Sequence, residues 1–293
     1  MSVTSAMYAG ISGLSANAEG INVIGDNLAN VNSIGFKSSR VLFSDILATN
    51  ISATSQVGRG TQIQQVDTIF GQGPLALTES VTDLAIQGDS FFAVMDPNAT
   101  APVNQNAALL TRAGAFHLDS NHILVNPDGY QVLDTQGNPI KFLDTGTAPT
   151  TDYSKIISID PSGLITYLAK DGITVNYYNT SGTAGVPADV ANAATVQRLA
   201  IMNVINPDGL EKAGNTLFRS TAATGITATP FTLATNSPNG TSERIYANSL
   251  EQSNVDIAGQ LVSMILTQRA YSANSKTITT ADEMTLEALN LKR

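Results

Sequence analysis

The sequence predicts an α+β fold, in which long N- and C-terminal helices form a coiled-coil-like core and the centre is a β-rich domain of hairpins. Three observations carry this. Near the start, Met7, Ile11, Leu14, Ala18, Ile21, Ile24 and Leu28 recur in steps of three and four, the spacing of an apolar helical seam. Near the end, Ile257, Leu261, Met264, Tyr271 and Ile278 keep a heptad spacing, with Gln268 and Ser275 as polar intervals. Between them the helical period is lost, and short apolar runs alternate with Gly, Pro, Asn and Asp clusters.

Residues 4–31 read as one helix interrupted by Gly10, Gly13, Gly20 and Gly25, each costing about 1 kcal/mol against Ala in a helix interior. Such small residues let neighbouring helices approach closely. Asn27, Asn30 and Asn32 are poor interior residues and good helix-end residues, so they are expected at a joint, followed by Gly35 in a positive-φ conformation. Phe36–Thr49 reads as a short helix or extended chain, and Val57–Thr78 as strand and connector.

From Asp83 onward the pattern is β. Asn126-Pro-Asp-Gly129, Asp160-Pro-Ser-Gly163 and Asn206-Pro-Asp-Gly209 each separate two apolar runs, and Pro followed by Gly predicts a hairpin turn at each. Residues 179–195 are small and polar, as in a loop. The Thr-, Ala- and Ser-rich stretch after Arg219 reads as a connector with little to bury. The last helix is expected to be capped by Ser253 or Asn254, with Asp256 in its first turn and Lys292 and Arg293 complementing its C-terminal end. The division expected is therefore a discontinuous helical core (1–33 plus 254–293), a connector (34–78 plus 240–253) and a β-rich outer domain (79–239) with a reduced insertion near 141–195.

Of the 293 residues, 42% are hydrophobic and 13% charged, enough apolar material for a core and too little charge for wholesale disorder. A net charge of −9 with scattered Lys and Arg argues against nucleic acid as a partner. Cysteine is absent, which removes disulfides, thiolate metal sites and Cys nucleophiles. The first basic side chain is Lys37, so the charged n-region of a cleaved secretory signal is missing. The uncharged run Ile257–Gln268 is about a dozen residues, below the ~20 needed to span a bilayer, so no membrane insertion is expected.

Candidates for chemistry are weak. His117 and His122 flank a turn and would need Asp119 and a fourth ligand to hold a metal; surface hairpin residues are the simpler reading. Asp83, Asp89 and Asp96 invite a carboxylate-pair reading, yet Asp is common in turns. Gly71-Gln-Gly73-Pro lacks the helix and lysine of a phosphate loop. No catalytic residue, cofactor or metal site is expected.

The apolar stripes instead point to self-association. Burying one Ile or Leu per 3.5 residues yields roughly 0.4–0.9 kcal/mol per residue, against about 1–2 kcal/mol per residue for ordering backbone. A two-helix seam rich in Gly and Ser is marginal alone. Neighbouring copies must cover the remaining faces, and non-closing head-to-tail contacts give open helical filaments.

Three blocks of the sequence then bear a resemblance. DNLANVNSIGFK, at 26–37, resembles a signature of the bacterial flagellar rod and hook protein family. GDSFFAVMD with LLTRAGAFHLDSNHILVNPDGYQVL resembles the family's central block, and SLEQSNVDIAGQLVSMILTQRAYSANSKTITTADEMTLEAL its C-terminal block. The resemblance implies a non-enzymatic subunit of a tubular homopolymer, with terminal helices lining the core and β-rich domains outside. It implies as partners the adjacent axial proteins (rod, hook cap, hook–filament junction) and the flagellar export apparatus, with export that removes no signal peptide. Asn27, Asn30, Gly35 and Phe36 lie in the N-terminal motif, and Gln268, Arg269 and Tyr271 in the C-terminal one; their implied roles are packing. MYAGISGLSANAEGINVIGDNLANVNSIGFK, GRGTQI and NVINPDGLEKAGNTLFRST look more like the hook type, the flexible torque-transmitting joint, in a short form. Length favours the alternative, the distal rod type.

Overall fold

The computed structural model describes residues 3–47, 49–52, 55–142, 150, 152–178 and 196–291. The loop expected at 179–195 and the basic pair Lys292 and Arg293 lie outside them. In chain order the first elements are α1 (Val3–Ala29), β1 (Ser39–Asp45), β2 (Thr49–Ser52), β3 (Ser55–Val57), β4 (Thr61–Thr68) and β5 (Leu75–Leu77). There follow β6 (Leu84–Gln87), β7 (Phe91–Met95), β8 (Leu109–Thr111), β9 (His117–Leu118), β10 (Leu124–Val125) and β11 (Gln131–Val132). Next come β12 (Tyr153–Ile159), β13 (Ile165–Ala169), β14 (Val175–Tyr177), β15 (Ile201–Met202), β16 (Glu211–Gly214) and β17 (Leu217–Arg219). The chain closes with α2 (Leu233–Asn236), β18 (Arg244–Ala247), β19 (Ser249–Glu251) and α3 (Ile257–Asn290). Mixed helix and sheet, with helices at the ends and strands between, is the expected class.

Two compact units result: Met1–Val31, Lys37–Ile69 and Val255–Arg293 form one, Asn32–Phe36 and Phe70–Asn254 the other. In the first, α1 and α3 lie side by side and antiparallel: Gly10 faces Ile278, Gly13 faces Asn274 and Gly20 faces Thr267. The ribbon β1–β4, antiparallel from Ser39↔Thr68 to Asp45↔Thr61, lies along α1. It is fastened at both ends. Asn27 bonds Ser39, and Ser12 Oγ accepts the Thr61 N–H at 3.3 Å. The fifteen steps from Ser12 to Asn27 in helix span about 22 Å and the six from Ser39 to Asp45 in strand about 20 Å, so the two fastenings are close in length. Phe36–Thr49, for which the sequence allows a short helix or extended chain, is strand over Ser39–Asp45.

The β-rich unit is built on β7, FFAVM, buried at every position. Phe92 and Val94 enter one apolar cluster while Phe91, Ala93 and Met95 enter another, so the strand is covered on both faces. That accounts for a continuous apolar run in place of alternation. β7 pairs with β8, β11 and β15. A second sheet, β12-β13-β14, sends Tyr153, Ile156, Ile159, Ile165 and Tyr167 into the first cluster.

The turn at Asn126 joins β10 to β11 and that at Asp160 joins β12 to β13, with Gly129 and Gly163 at positive φ. The third motif departs from expectation. Pro207–Gly209 is a 3-10 turn, and its flanking strands go to different partners, β15 to β7 and β16 to β17. Asn206 explains this: its Nδ2 donates to Ala223 O and its N–H to Thr224 O, holding the turn against a different segment. The connector after Arg219 also buries more than expected. Phe231 joins the second cluster, and buried Asn236 donates to Ile201 O while accepting the Thr232 N–H. The stretch 240–253 supplies β18, paired with β6, and β19, paired with β5.

Candidate assembly surface

The seam between α1 and α3 differs from the apolar stripes that spacing alone suggests. In α1 the buried positions are Gly10, Gly13, Ala16, Gly20 and Asn27. At 100° per residue this line is rotated by roughly 100° from the Met7–Leu28 stripe. A Cβ on Gly10 would stand 2.8 Å from Ile278 Cγ1, and one on Gly13 2.6 Å from Asn274 Nδ2. The glycines thus set a close helix–helix approach. Gly25 has nothing within 4 Å of its virtual Cβ.

On α3 the more covered positions are Gln260, Met264, Thr267, Ala270, Asn274, Ile278, Ala281 and Thr285, again in steps of three and four. Met264 and Ile278 of the expected stripe fall on this line. Ile257, Leu261 and Tyr271 are exposed instead, as are Gln268 and Arg269. So are Val262, Ile265, Leu266, Met284, Leu286 and Leu289. Of the 34 residues of α3 only Ala281 is buried. On α1, Ile11 and Tyr8 are exposed, and Met7, Leu14, Ile21, Ile24 and Leu28 are half-buried. A helix apolar on several sides with one side covered has more to bury than one partner supplies.

The joint after α1 is built from bonded side chains. Asn27 is not a cap; it lies within the helix and is fully buried. Asn30, just past the helix end, donates from Nδ2 to Asp26 O at 2.9 Å and to Asp26 Oδ1 at 3.0 Å. Gly35 is buried with φ +66°, and its N–H donates to Glu251 O at 2.8 Å. Phe36 is half-buried, with Lys212 Nζ 5.3 Å from its ring centroid. At the start of α3 the cap is Asp256, whose Oδ1 accepts the Ala258 N–H at 3.1 Å. Ser253 is buried and Asn254 Nδ2 donates to Gly71 O, so neither expected cap is placed for that role.

Sequence reasoning missed Arg112 and Glu251. Arg112 Nη1 meets Glu251 Oε2 at 3.3 Å, with side chains 1% and 0% exposed. Arg112 Nη2 donates to Gly88 O at 2.7 Å, and its guanidinium lies 4.9 Å from the Phe91 ring centroid. Glu251 Oε1 accepts the Gly73 N–H at 2.8 Å. Burial pulls the Arg112 pKa down, and the Glu251 carboxylate opposes that shift. One carboxylate therefore ties together β19, the core strand region and the Gly71–Gly73 segment, and its backbone carbonyl ties in Gly35.

Of the weak chemical candidates, the Asp119 and Asp96 carboxylates are engaged in turns. Asp119 Oδ1 accepts the N–H groups of Asn121 and Ile123 at 2.8 Å each. Asp96 Oδ1 accepts the Asn98 N–H. Among the described residues no three His, Asp or Glu side chains cluster as a metal ion requires, and no helix is long and apolar enough to cross a membrane.

Comparison with known proteins matches three family descriptions. Residues 7–37 match "Flagella basal body rod protein", 85–167 "Flagellar hook protein FlgE/F/G D1 domain" and 246–291 "Flagellar basal body rod FlgEFG protein C-terminal". The chain is 34% identical over 300 residues to the flagellar basal-body rod protein FlgG of Bacillus subtilis, covering 98% of each chain. It is 33% identical over 304 residues to the protein of that name from Borreliella burgdorferi, again covering 98% of each. The flagellar hook protein FlgE of Borreliella burgdorferi is 36% identical over 152 residues, 46% of this chain and 33% of that one. End-to-end likeness thus goes to rod proteins, and the closer resemblance to the hook type expected from the sequence gives way to the rod alternative.

Proposed function

Since the chain belongs to the flagellar rod and hook protein family, and is a flagellar structural subunit, we propose that it polymerises through α1 and α3 and builds the distal rod. The observation that carries the assembly reading is α3: 34 residues, one of them buried, with Leu261, Ile265, Leu266 and Met284 exposed on several sides. Copies of the same chain would cover those faces, in a tube lined by the paired helices. Gln268, Arg269 and Tyr271 would pack against neighbours, as would Ile11 and Ile257. Adjacent axial proteins above and below, and the export apparatus, are its remaining partners in this reading, and it performs no catalysis. The rod reading is supported by relatives matched over their whole length and by a chain length close to theirs. The hook reading retains the 36% identity to a hook protein over 152 residues.

Electron microscopy of the concentrated protein tests both levels. Straight open tubes are the expected result; curved tubes would move the assignment to the hook, and closed trimers or monomers at every concentration would overturn assembly. Circular dichroism should show helicity rising on polymerisation, because α3 alone buries too little to stay ordered. Removing residues 1–35 or 254–293 should leave a β-rich monomer that forms no tubes.

A further inference from the structure

Asn27 uses its carboxamide on two elements at once. Oδ1 accepts the Ser39 N–H at 2.8 Å and Nδ2 donates to Ser39 O at 2.7 Å, the pair of bonds one strand residue would make to another. Those two bonds fix which end of the amide is nitrogen and so aim its second N–H away from β1. That hydrogen meets Gln260 Oε1, in the first turn of α3, at 3.3 Å. The side chain is 0% exposed, so water cannot replace any of the three partners without the site opening.

We propose that Asn27 is a latch that makes seating of the β1–β4 ribbon on α1 conditional on docking of α3. With α3 away, the second N–H loses its acceptor and the amide opens to water, which then competes for its clasp on Ser39. The Ser12–Thr61 fastening lies at the far end of the ribbon and does not replace the clasp at Ser39. With α3 docked, the amide is held from both sides and the ribbon is held at both ends. Phe43, Val66 and Ile69, exposed apolar residues of the ribbon segment, are thereby presented in fixed positions only by a chain whose two helices are already paired. This use in polymerisation rests on the assembly reading above; the coupling itself is a property of the single chain.

Amide hydrogen exchange on the full chain tests it, under conditions where wild-type α3 is protected. Gln260→Ala removes only the α3 partner. It is expected to speed exchange of β1 and β4 amides about tenfold, the size of one lost buried hydrogen bond, together with the first turns of α3. Unchanged ribbon exchange in this variant overturns the proposal. Asn27→Asp keeps shape and the acceptor for Ser39 but cannot donate, and should speed both the ribbon and α3. Loss confined to the ribbon would make Asn27 a local strand fastening and overturn the coupling. In the double variant the effects should fall short of their product, whereas simple multiplication rejects a shared latch. Exchange in β7 and β8 serves as the folding control, and light scattering on the same wild-type samples reports polymerisation separately.

Discussion

Three positions show how much a single residue decides in this chain. Gly25 sits in a helix with open space where a side chain would go, so Gly25→Ala should raise stability by up to about 1 kcal/mol, read from thermal unfolding of the dilute chain. Gly35→Ala should do the opposite, costing about 2 kcal/mol or more. Its φ is +66°, and a Cβ there would stand 2.4 Å from the Ala113 backbone nitrogen. Asp134 is a pH prediction. Burial raises its pKa against the Asn138 and Gln136 amides that lower it, so the native state favours the protonated form. Its contribution is fully present below the unfolded carboxylate value and is lost as pH rises through the folded one. Asp134→Asn, which keeps an oxygen for those amides, should therefore match wild type near pH 4 and exceed it near pH 7 in urea unfolding. Asn27 marks where sequence reading ran out at this scale. Asn is as acceptable at a helix end as in a buried clasp, and only the position of Ser39 in space distinguishes them.

At the level of elements, the helices, the strands after Asp83 and two of three Pro-Gly turns were legible, because periodicity and turn chemistry are local. The seam was not. Spacing selects the largest side chains, whereas α1 meets α3 through its glycines, and of the expected α3 stripe Met264 and Ile278 alone fall on the seam. Nor was the Arg112–Glu251 pair, which joins residues 139 apart and reads in sequence as two ordinary surface charges. Arg112→Met should cost about 3–5 kcal/mol, by leaving the Glu251 carboxylate buried with its cation removed. The check is a lowered urea midpoint for the β-rich unit, followed by tyrosine fluorescence. In the connector, buried Asn236, bonded to Ile201 O, and buried Phe231 hold a Thr-rich segment that composition alone reads as having little to bury.

For the whole molecule, the assembly reading predicts that stability and assembly are separable. Leu261→Ser combined with Ile265→Ser changes two exposed positions that have no core role in the single chain. Unfolding of the β-rich unit should be unaffected within about 0.5 kcal/mol. Tube formation, followed by light scattering, should fall at least tenfold in rate or extent if those positions are covered by neighbouring copies.

The bond from Asn27 to Gln260 closes a loop of 233 residues. Contacts that distant are the last a growing or threading polypeptide can make, because both partners must be clear of whatever pore or tunnel releases them. Until the final forty or so residues emerge, the first helix has the β1–β4 ribbon beside it and no second helix to pair with. Late closure is thus the result of one arrangement: the mating surfaces are written at opposite ends of the message.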